Sequence, residues 1–192
     1  MTRSSDGGRS WEPVRSVHRC DHRHFFDLRI TGRPDGSMVG AYWTQDLVAN
    51  EGLNVHMTWS SDAGETWSEP RDAGFWGQVT DVCGLPDGRV AAATNHRRAP
   101  LGVRALISNT NGVTFHEEAH RELWGTDPPK VRSAPVLADQ RDTVENALQA
   151  YHHFTFGTPT VTCLSDGTIV AAFYVTEQFV TYVRCCRMVV SS

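Results

Sequence analysis

Ser60-Ser61-Asp62-Ala63-Gly64-Glu65-Thr66-Trp67 has the form S-x-D-x-G-x-T-W, and the chain repeats it. Ser4-Ser5-Asp6-Gly7-Gly8-Arg9-Ser10-Trp11 is a second copy. A third, degenerate copy, Ser108-Asn109-Thr110-Asn111-Gly112-Val113-Thr114-Phe115, has Thr110 in place of the Asp and Phe115 in place of the Trp. Short polar side chains followed by Gly make a tight turn. The Asp and Ser oxygens accept from backbone N–H groups, and Gly supplies a positive φ. The closing aromatic then leaves in a set direction and is expected to plug a hydrophobic layer. One octet is a weak signal, whereas three in one chain mark a repeat protein.

A second repeat is interleaved with the first. It reads Arg33-Pro34-Asp35-Gly36, Leu85-Pro86-Asp87-Gly88 and Leu164-Ser165-Asp166-Gly167. Strand-like runs precede each Asp-Gly and follow it, at 37–43, 89–95 and 168–174, which is a hairpin signal. Asp35 and Asp87 are 52 residues apart, and Asp6 and Asp62 are 56 apart. Such periods, with several strands in each, point to propeller blades. Asp87 to Asp166 is 79 residues, so that repeat carries an insertion of about 27 residues.

Lettering strands a to d from the axis outward, one blade has a at 27–31, b at 37–43, c at 53–59 and d after Trp67. The next has a at 78–83, b at 89–95, c at 103–108 and d after Phe115. The last has a at 159–164, b at 168–174 and c at 180–188, with neither octet nor strand d. Residues 11–18 supply only a turn and an outer strand. The expected fold is all-β: a single domain over 1–192, forming a partial propeller of three to four antiparallel four-stranded blades. The insertion covers about 120–156. Within it, Gly125-Thr126-Asp127-Pro128-Pro129 is irregular. A short helix is expected over 143–152, capped by Asp142 or Thr143, with His152-His153 as its solvated end.

Composition narrows the function classes. The chain has 192 residues and a formal net charge of -4. That balance argues against a general nucleic-acid or membrane-surface binder. Lys130 is the only lysine, so the basic side chains are almost all Arg, the residue suited to bidentate carboxylate recognition. Five cysteines, Cys20, Cys83, Cys163, Cys185 and Cys186, include no C-x-x-C. They read as strand thiols rather than a disulfide framework. No apolar run is long enough to span a bilayer. Met1-Thr2-Arg3-Ser4-Ser5-Asp6 does not read as a secretory leader, so the default expectation is cytoplasmic. Cys20-x-His22-x-His24 fits no standard zinc spacing, and no metal or cofactor is expected.

The octets resemble the Asp-box, or BNR, repeat of sialidases and related β-propellers. Further pieces fit the same bacterial sialidase-like family in order. These are Phe26-Asp27-Leu28-Arg29, Ala41-Tyr42-Trp43-Thr44, His56-Met57-Thr58-Trp59, Gly77-Gln78 and Asp87-Gly88-Arg89. The stretch from Arg97 to Ala105, Phe156-Gly157-Thr158-Pro159 and Phe173-Tyr174 complete the set. The resemblance covers nearly all of the chain outside the insertion. It matches the C-terminal part of a six-bladed protein and implies a glycoside hydrolase acting on an acidic sugar, sialic acid or another acidic glycan. The family also includes non-catalytic carbohydrate- and protein-binding propellers.

Connectivity separates the two rims. The a–b hairpins and the octets open on one rim, so the turn motifs occupy it. The b–c and d–a connections open on the other, where sites are usually built. On that rim the resemblance implies an arginine cluster for the substrate carboxylate, with Arg29, Arg97 and Arg104 as candidates and Gln78 beside them. Arg98 lies in the same loop as Arg97. Tyr174 is the candidate nucleophile and Glu177 the carboxylate that activates it. Asp27 is expected to orient Arg29, because alternate strand residues share a face, or else to serve as the acid. The family's general acid otherwise lies in an earlier blade. Arginines at such places also tie neighbouring blades together, and a strand-end tyrosine also serves as core. Open blade edges at the two ends imply self-association.

Overall fold

The computed structural model describes residues 1–98, 100–109, 112, 114–125 and 155–190. Thr110, Asn111 and Val113 of the third octet, the expected helix at 143–152, His152-His153 and most of the insertion lie outside the described residues.

Among the described residues, twelve strands form three antiparallel sheets. The first contains β1 (Arg23–Gly32), β2 (Met38–Asp46), β4 (His56–Ser60) and β5 (Arg71–Asp72), with β3 (Glu51–Gly52) pairing β2. The second orders β6 (Thr80–Gly84), β7 (Val90–His96), β8 (Gly102–Ile107) and β9 (Arg121–Gly125). The third has β10 (Phe156–Cys163), β11 (Ile169–Glu177) and β12 (Val180–Met188). Each sheet is a meander of sequential strands, and the innermost strands β1, β6 and β10 lie side by side. This is a partial β-propeller of three blades.

Packing explains why the middle sheet reads as it does. All seven residues of β7 are buried, because a sheet covers each of its faces. Toward the first sheet, Val82, Val90, Ala92 and Leu106 meet Val39, Ala41 and Met57, with Phe75 and Phe115 edge-on at 5.0 Å. Toward the third, Ala91 and Ala93 meet Val161, Ile169 and Ala171. Nearer the opposite rim, Val103 and Trp124 meet Phe156, Phe173 and Val175. The alanines of β7 let the sheets approach closely, and each large apolar side chain buried there contributes about 1.5–3 kcal/mol. Polar pins cross the same interfaces. The Asp81 carboxylate accepts from the Thr160 hydroxyl at 2.8 Å and the Val161 N–H at 2.9 Å. Arg33 Nη2 donates to the Gly88 carbonyl at 2.6 Å.

The two complete octets make one turn. Ser60 Oγ donates to Asp62 Oδ1 and accepts from the Gly64 N–H, while Thr66 donates its N–H to Oδ1 and its hydroxyl to Oδ2. Ser4, Asp6, Gly8 and Ser10 repeat that pattern. Ala63 and Gly64 take positive φ, as Gly7 and Gly8 do. Met38 pairs with Ser60, which sets the Asp35 and Asp62 turns on one rim.

The outer strand expected after Trp67 is present as β5, two residues long. Three local expectations are corrected. Trp67 is half-buried and donates to the Gly64 carbonyl, but Trp11 is 63% exposed, because among the described residues no sheet lies beneath the first octet. Residues 11–18 form no strand. β9 lies where the insertion was expected to begin.

Candidate functional site

Three chain segments meet on the rim away from the octets: Gly77–Gln78 entering β6, Asn95–Arg97 leaving β7, and Phe156–Gly157 opening β10. Gln78 N–H donates to the Asn95 carbonyl at 3.1 Å, which draws the first two together. Arg97 ties in the third. Its Nη1 donates to Gln78 Oε1 at 2.9 Å and its Nη2 to the Phe156 carbonyl at 3.0 Å, with the guanidinium 5.7 Å from the Phe156 ring centroid. Gly157 pairs with Tyr174 across β10 and β11. A Cβ on Gly157 would stand 2.6 Å from Arg97 Nη2, 3.1 Å from Asn95 Nδ2 and 3.3 Å from Tyr174 Cε1. Only a glycine lets those three side chains close on one point.

Asn95 is fully buried, and neither its amide oxygen nor its amide nitrogen has a hydrogen-bond partner. Leaving such groups unpaired costs about 1–3 kcal/mol each, a cost also met at the Tyr42 hydroxyl and the Trp43 and Trp76 indole N–H groups. The sequence reading missed Asn95 as a site residue. Its signal was an Asn closing an alanine-rich strand, where Asn is disfavoured.

Of the expected residues, Gln78, Arg97 and Tyr174 are brought together. Arg104 is not. It pairs with Thr94 across the sheet, whereas Asn95 pairs with Val103, so Arg104 points to the first sheet instead. There it is buried, 3.5 Å from Glu117 Oε1, with Nη2 3.4 Å from the Pro100 carbonyl. Burial lowers its pKa and Glu117 works against that shift. His96 joins this second cluster. Its Nδ1 lies 3.0 and 2.9 Å from the Arg98 and Pro100 carbonyls, so it carries the proton, and Nε2 faces Glu117 at 3.6 Å. Burial, then Arg104, holds its pKa below the ordinary value. Arg98 stacks on Trp76 at 4.3 Å and donates to the Gly52 carbonyl at 3.1 Å.

Asp27 and Arg29 do not share a face. A bulge falls between Phe26 and Arg29, and Asp27 takes a φ of 50°. The extra residue breaks the alternation on which the expectation rested. Asp27 is exposed, and Arg29 is half-buried opposite Ala41. Among the described residues, no ion pair or side-chain hydrogen bond joins them. β10 bulges at the same place, with Thr158 at φ 47°.

Glu177 stands apart from Tyr174. Three residues along a strand reverse the face. Glu177 accepts from Trp124 Nε1 at 2.9 Å, from Arg184 Nη2 at 3.0 Å and from the Tyr182 hydroxyl. The Tyr182 and Trp124 bonds hold its carboxyl below the usual range. A second tyrosine, Tyr42, is buried against Phe25 at 5.0 Å with its hydroxyl unpartnered, and burial pushes its pKa up to about 12. Among the described residues no cluster of His, Cys, Asp or Glu could hold a metal, and no helix is long and apolar enough to cross a membrane. The five cysteines are free, and burial raises Cys83 to about 12.

No protein-family model matches the chain, and no curated protein matches it. Solved structures do. A protein of unknown function from Dyadobacter fermentans superposes with a TM-score of 0.68 at 20% identity, covering 97% of this chain and 44% of that one. A leech intramolecular trans-sialidase gives a TM-score of 0.55 at 13% identity, over 98% of this chain and 27% of that one. A Fusarium graminearum α-L-arabinofuranosidase gives 0.53 at 12% identity, over 85% and 45%. This chain therefore spans less than half the length of these structures. At such identities the likeness is one of fold, shared with propeller glycosidases.

Proposed function

We propose that the rim carrying Gln78, Arg97, Asn95 and Tyr174 is part of an acidic-sugar site in a sialidase-like glycoside hydrolase, with the octets as Asp-box turns. The observation that carries this reading is the convergence of Arg97, Asn95 and Tyr174 on Gly157. Gln78 and the Phe156 carbonyl fix the plane of the Arg97 guanidinium in advance. A planar fork held in place suits a carboxylate better than a mobile ammonium does. The orphaned Asn95 amide offers both a donor and an acceptor to a sugar substituent. Tyr174 would act as the nucleophile on the anomeric carbon, giving a covalent glycosyl intermediate and retained stereochemistry. From the resemblance, Arg29 would serve as a second carboxylate contact and Asp27 as the acid, although both stand within β1, Arg29 opposite Ala41. Arg104 acts on the site only through the loop that it braces.

One observation favours a second reading, a non-catalytic carbohydrate- or protein-binding propeller. Glu177 is committed to Trp124, Tyr182 and Arg184, on the face of β11 away from Tyr174. No base for Tyr174 then comes from that strand. A fluorogenic sialoside assay on the 192-residue chain, beside titrations with sialic acid and neutral sugars, separates the readings. Turnover supports the hydrolase. Selective binding of sialic acid without turnover supports the binding module. No preference for the acidic sugar overturns both forms of the acidic-sugar proposal.

A further inference from the structure

β6 and β10 are the innermost strands of the second and third sheets. Both run from the loop-rich rim toward their Asp-Gly turns, so they lie side by side and parallel. Asp81 fixes their relative height, because its carboxylate takes the Val161 N–H at 2.9 Å. Alternate residues of a strand share a face. Two residues on from Asp81 is Cys83, and two residues on from Val161 is Cys163. Cys83 pairs with Ala91 and Cys163 with Ile169. All four pack into the core between the second and third sheets. The two thiols therefore enter one interface at one height, from opposite sides.

Inner strands also approach closely at that height. Gly84 and Cys163 hold the same place in successive sheets, each three residues before its Asp-Gly aspartate. A Cβ on Gly84 would stand 2.7 Å from the Gly32 carbonyl oxygen and 3.3 Å from Arg33 Cα, at the end of β1. Cys163 carries a Cβ at the corresponding place against β6. A disulfide needs Cβ atoms about 3.5–4.5 Å apart, an approach on the scale of the one between β1 and β6. Burial, then a thiolate at Cys163, raises the Cys83 thiol to about 12, so each thiol lies within the other's field. The remaining three cysteines stand elsewhere. Cys20 precedes β1, and Cys185 and Cys186 are neighbours on β12, pointing to opposite faces.

We infer that Cys83 and Cys163 are a redox pair that forms a disulfide, stapling the second sheet to the third, when a small-molecule disulfide such as oxidised glutathione is the oxidant. Cys163 is half-buried and Cys83 buried, so Cys163 reacts first. Its thiolate attacks one sulfur of the oxidant and displaces one glutathione thiolate, leaving a mixed disulfide. The Cys83 thiolate then attacks the Cys163 sulfur and displaces the second. Two protein thiols are oxidised, one glutathione disulfide is reduced, and the two protein protons end on the two glutathione thiols. Burial raises Cys163 as well, so exchange quickens as pH rises and thiolate forms. Cys83 and Cys163 are 80 residues apart, and cross-linking so long a stretch restricts the unfolded chain far more than the folded one. The inference stands independently of the proposed sugar chemistry.

The test is to incubate the folded chain with oxidised glutathione at about pH 9 and about pH 7, alkylate the remaining thiols, and map the peptides by mass. One linked pair should appear, carrying Cys83 and Cys163 and two hydrogen atoms lighter than the separate peptides, and it should form faster at the higher pH. The oxidised chain should unfold at a higher urea concentration than the reduced chain, and dithiothreitol should reverse that shift. Both readouts are free of substitutions. Cys163→Ser should abolish the link and the shift together. A lasting glutathione adduct on Cys163, a link from either cysteine to another one, a link that forms only in urea, or a urea midpoint that oxidation leaves unchanged or lowers would each overturn the proposal.

Discussion

Tyr174 and Glu177 lie three residues apart on β11 and on opposite faces of it. Glu177 is bound by Trp124 and Arg184, while Tyr174 meets Gly157 at the rim. Glu177→Gln should therefore lower the melting temperature, by loosening the β11–β12 hairpin from Trp124. Sugar affinity should change less than about twofold, well under 1 kcal/mol. A folded variant with abolished binding or turnover would return Glu177 to the site.

Gly157 gives a sharper probe of the rim. An added Cβ would press Arg97 Nη2 at 2.6 Å, and the end of a long side chain yields more readily than backbone. Gly157→Ala should displace the guanidinium and weaken acidic-sugar binding about tenfold or more, roughly 1.4 kcal/mol, with some loss of stability because its φ of 157° favours glycine. Calorimetric titration checks this, and unchanged affinity would remove Arg97 from the site.

Cohesion between the second and third sheets leans on Asp81. Asp81→Ala leaves the Val161 N–H, on a residue 6% exposed, without its acceptor. The expected cost is about 1–3 kcal/mol, read from urea unfolding. Thr160→Val loses only the hydroxyl bond and should cost less. Equal costs would mean that the backbone bond carries little.

Acid should unfold the chain through its turns. Asp62 is held down to about 2, first by the Thr66 hydroxyl bond and then by the Thr66 N–H. The Ser10 and Ser37 bonds likewise lower Asp6 and Asp35. A carboxyl depressed on folding stabilises above its unfolded value near 3.9 and loses that contribution as pH falls to its folded value. Melting temperature should fall steeply between about pH 4 and pH 2. Asp62→Asn should flatten that fall, and an unaltered slope would show that the octet carboxylate is not linked to folding.

Much of the fold was legible because its turns are written in short polar codes. The Asp-Gly pairs and octets mark where strands reverse, and β12 forms over the residues expected, 180–188. What the codes do not mark is a bulge. Asp27 and Thr158 each lie eight residues before an Asp-Gly aspartate; the alternation of Phe26, Leu28 and Ile30 runs through Asp27 without a break, whereas from Phe156 to Val161 and Cys163 it changes phase. Arg29 and Asp27 were misplaced relative to each other for that reason. Arg104 was misplaced by face, which depends on register: opposite Thr94 it looks to the first sheet. Arg97 and Gln78 were legible by residue type and rim, since both close on the loop-rich end. The orphaned Asn95 amide depends on packing from the third sheet, which no local pattern reports.

The role of Arg97 tests the account most directly. Sialic acid and a neutral hexose are titrated against the chain and against Arg97→Lys, with melting curves to confirm the fold. The account predicts that the parent prefers the acidic sugar, and that the lysine variant loses about tenfold or more of that preference. A lysine keeps the charge but not the fork held by Gln78 and Phe156. Equal affinities for the two sugars in the parent, or a lysine variant that binds sialic acid as the parent does, would contradict it.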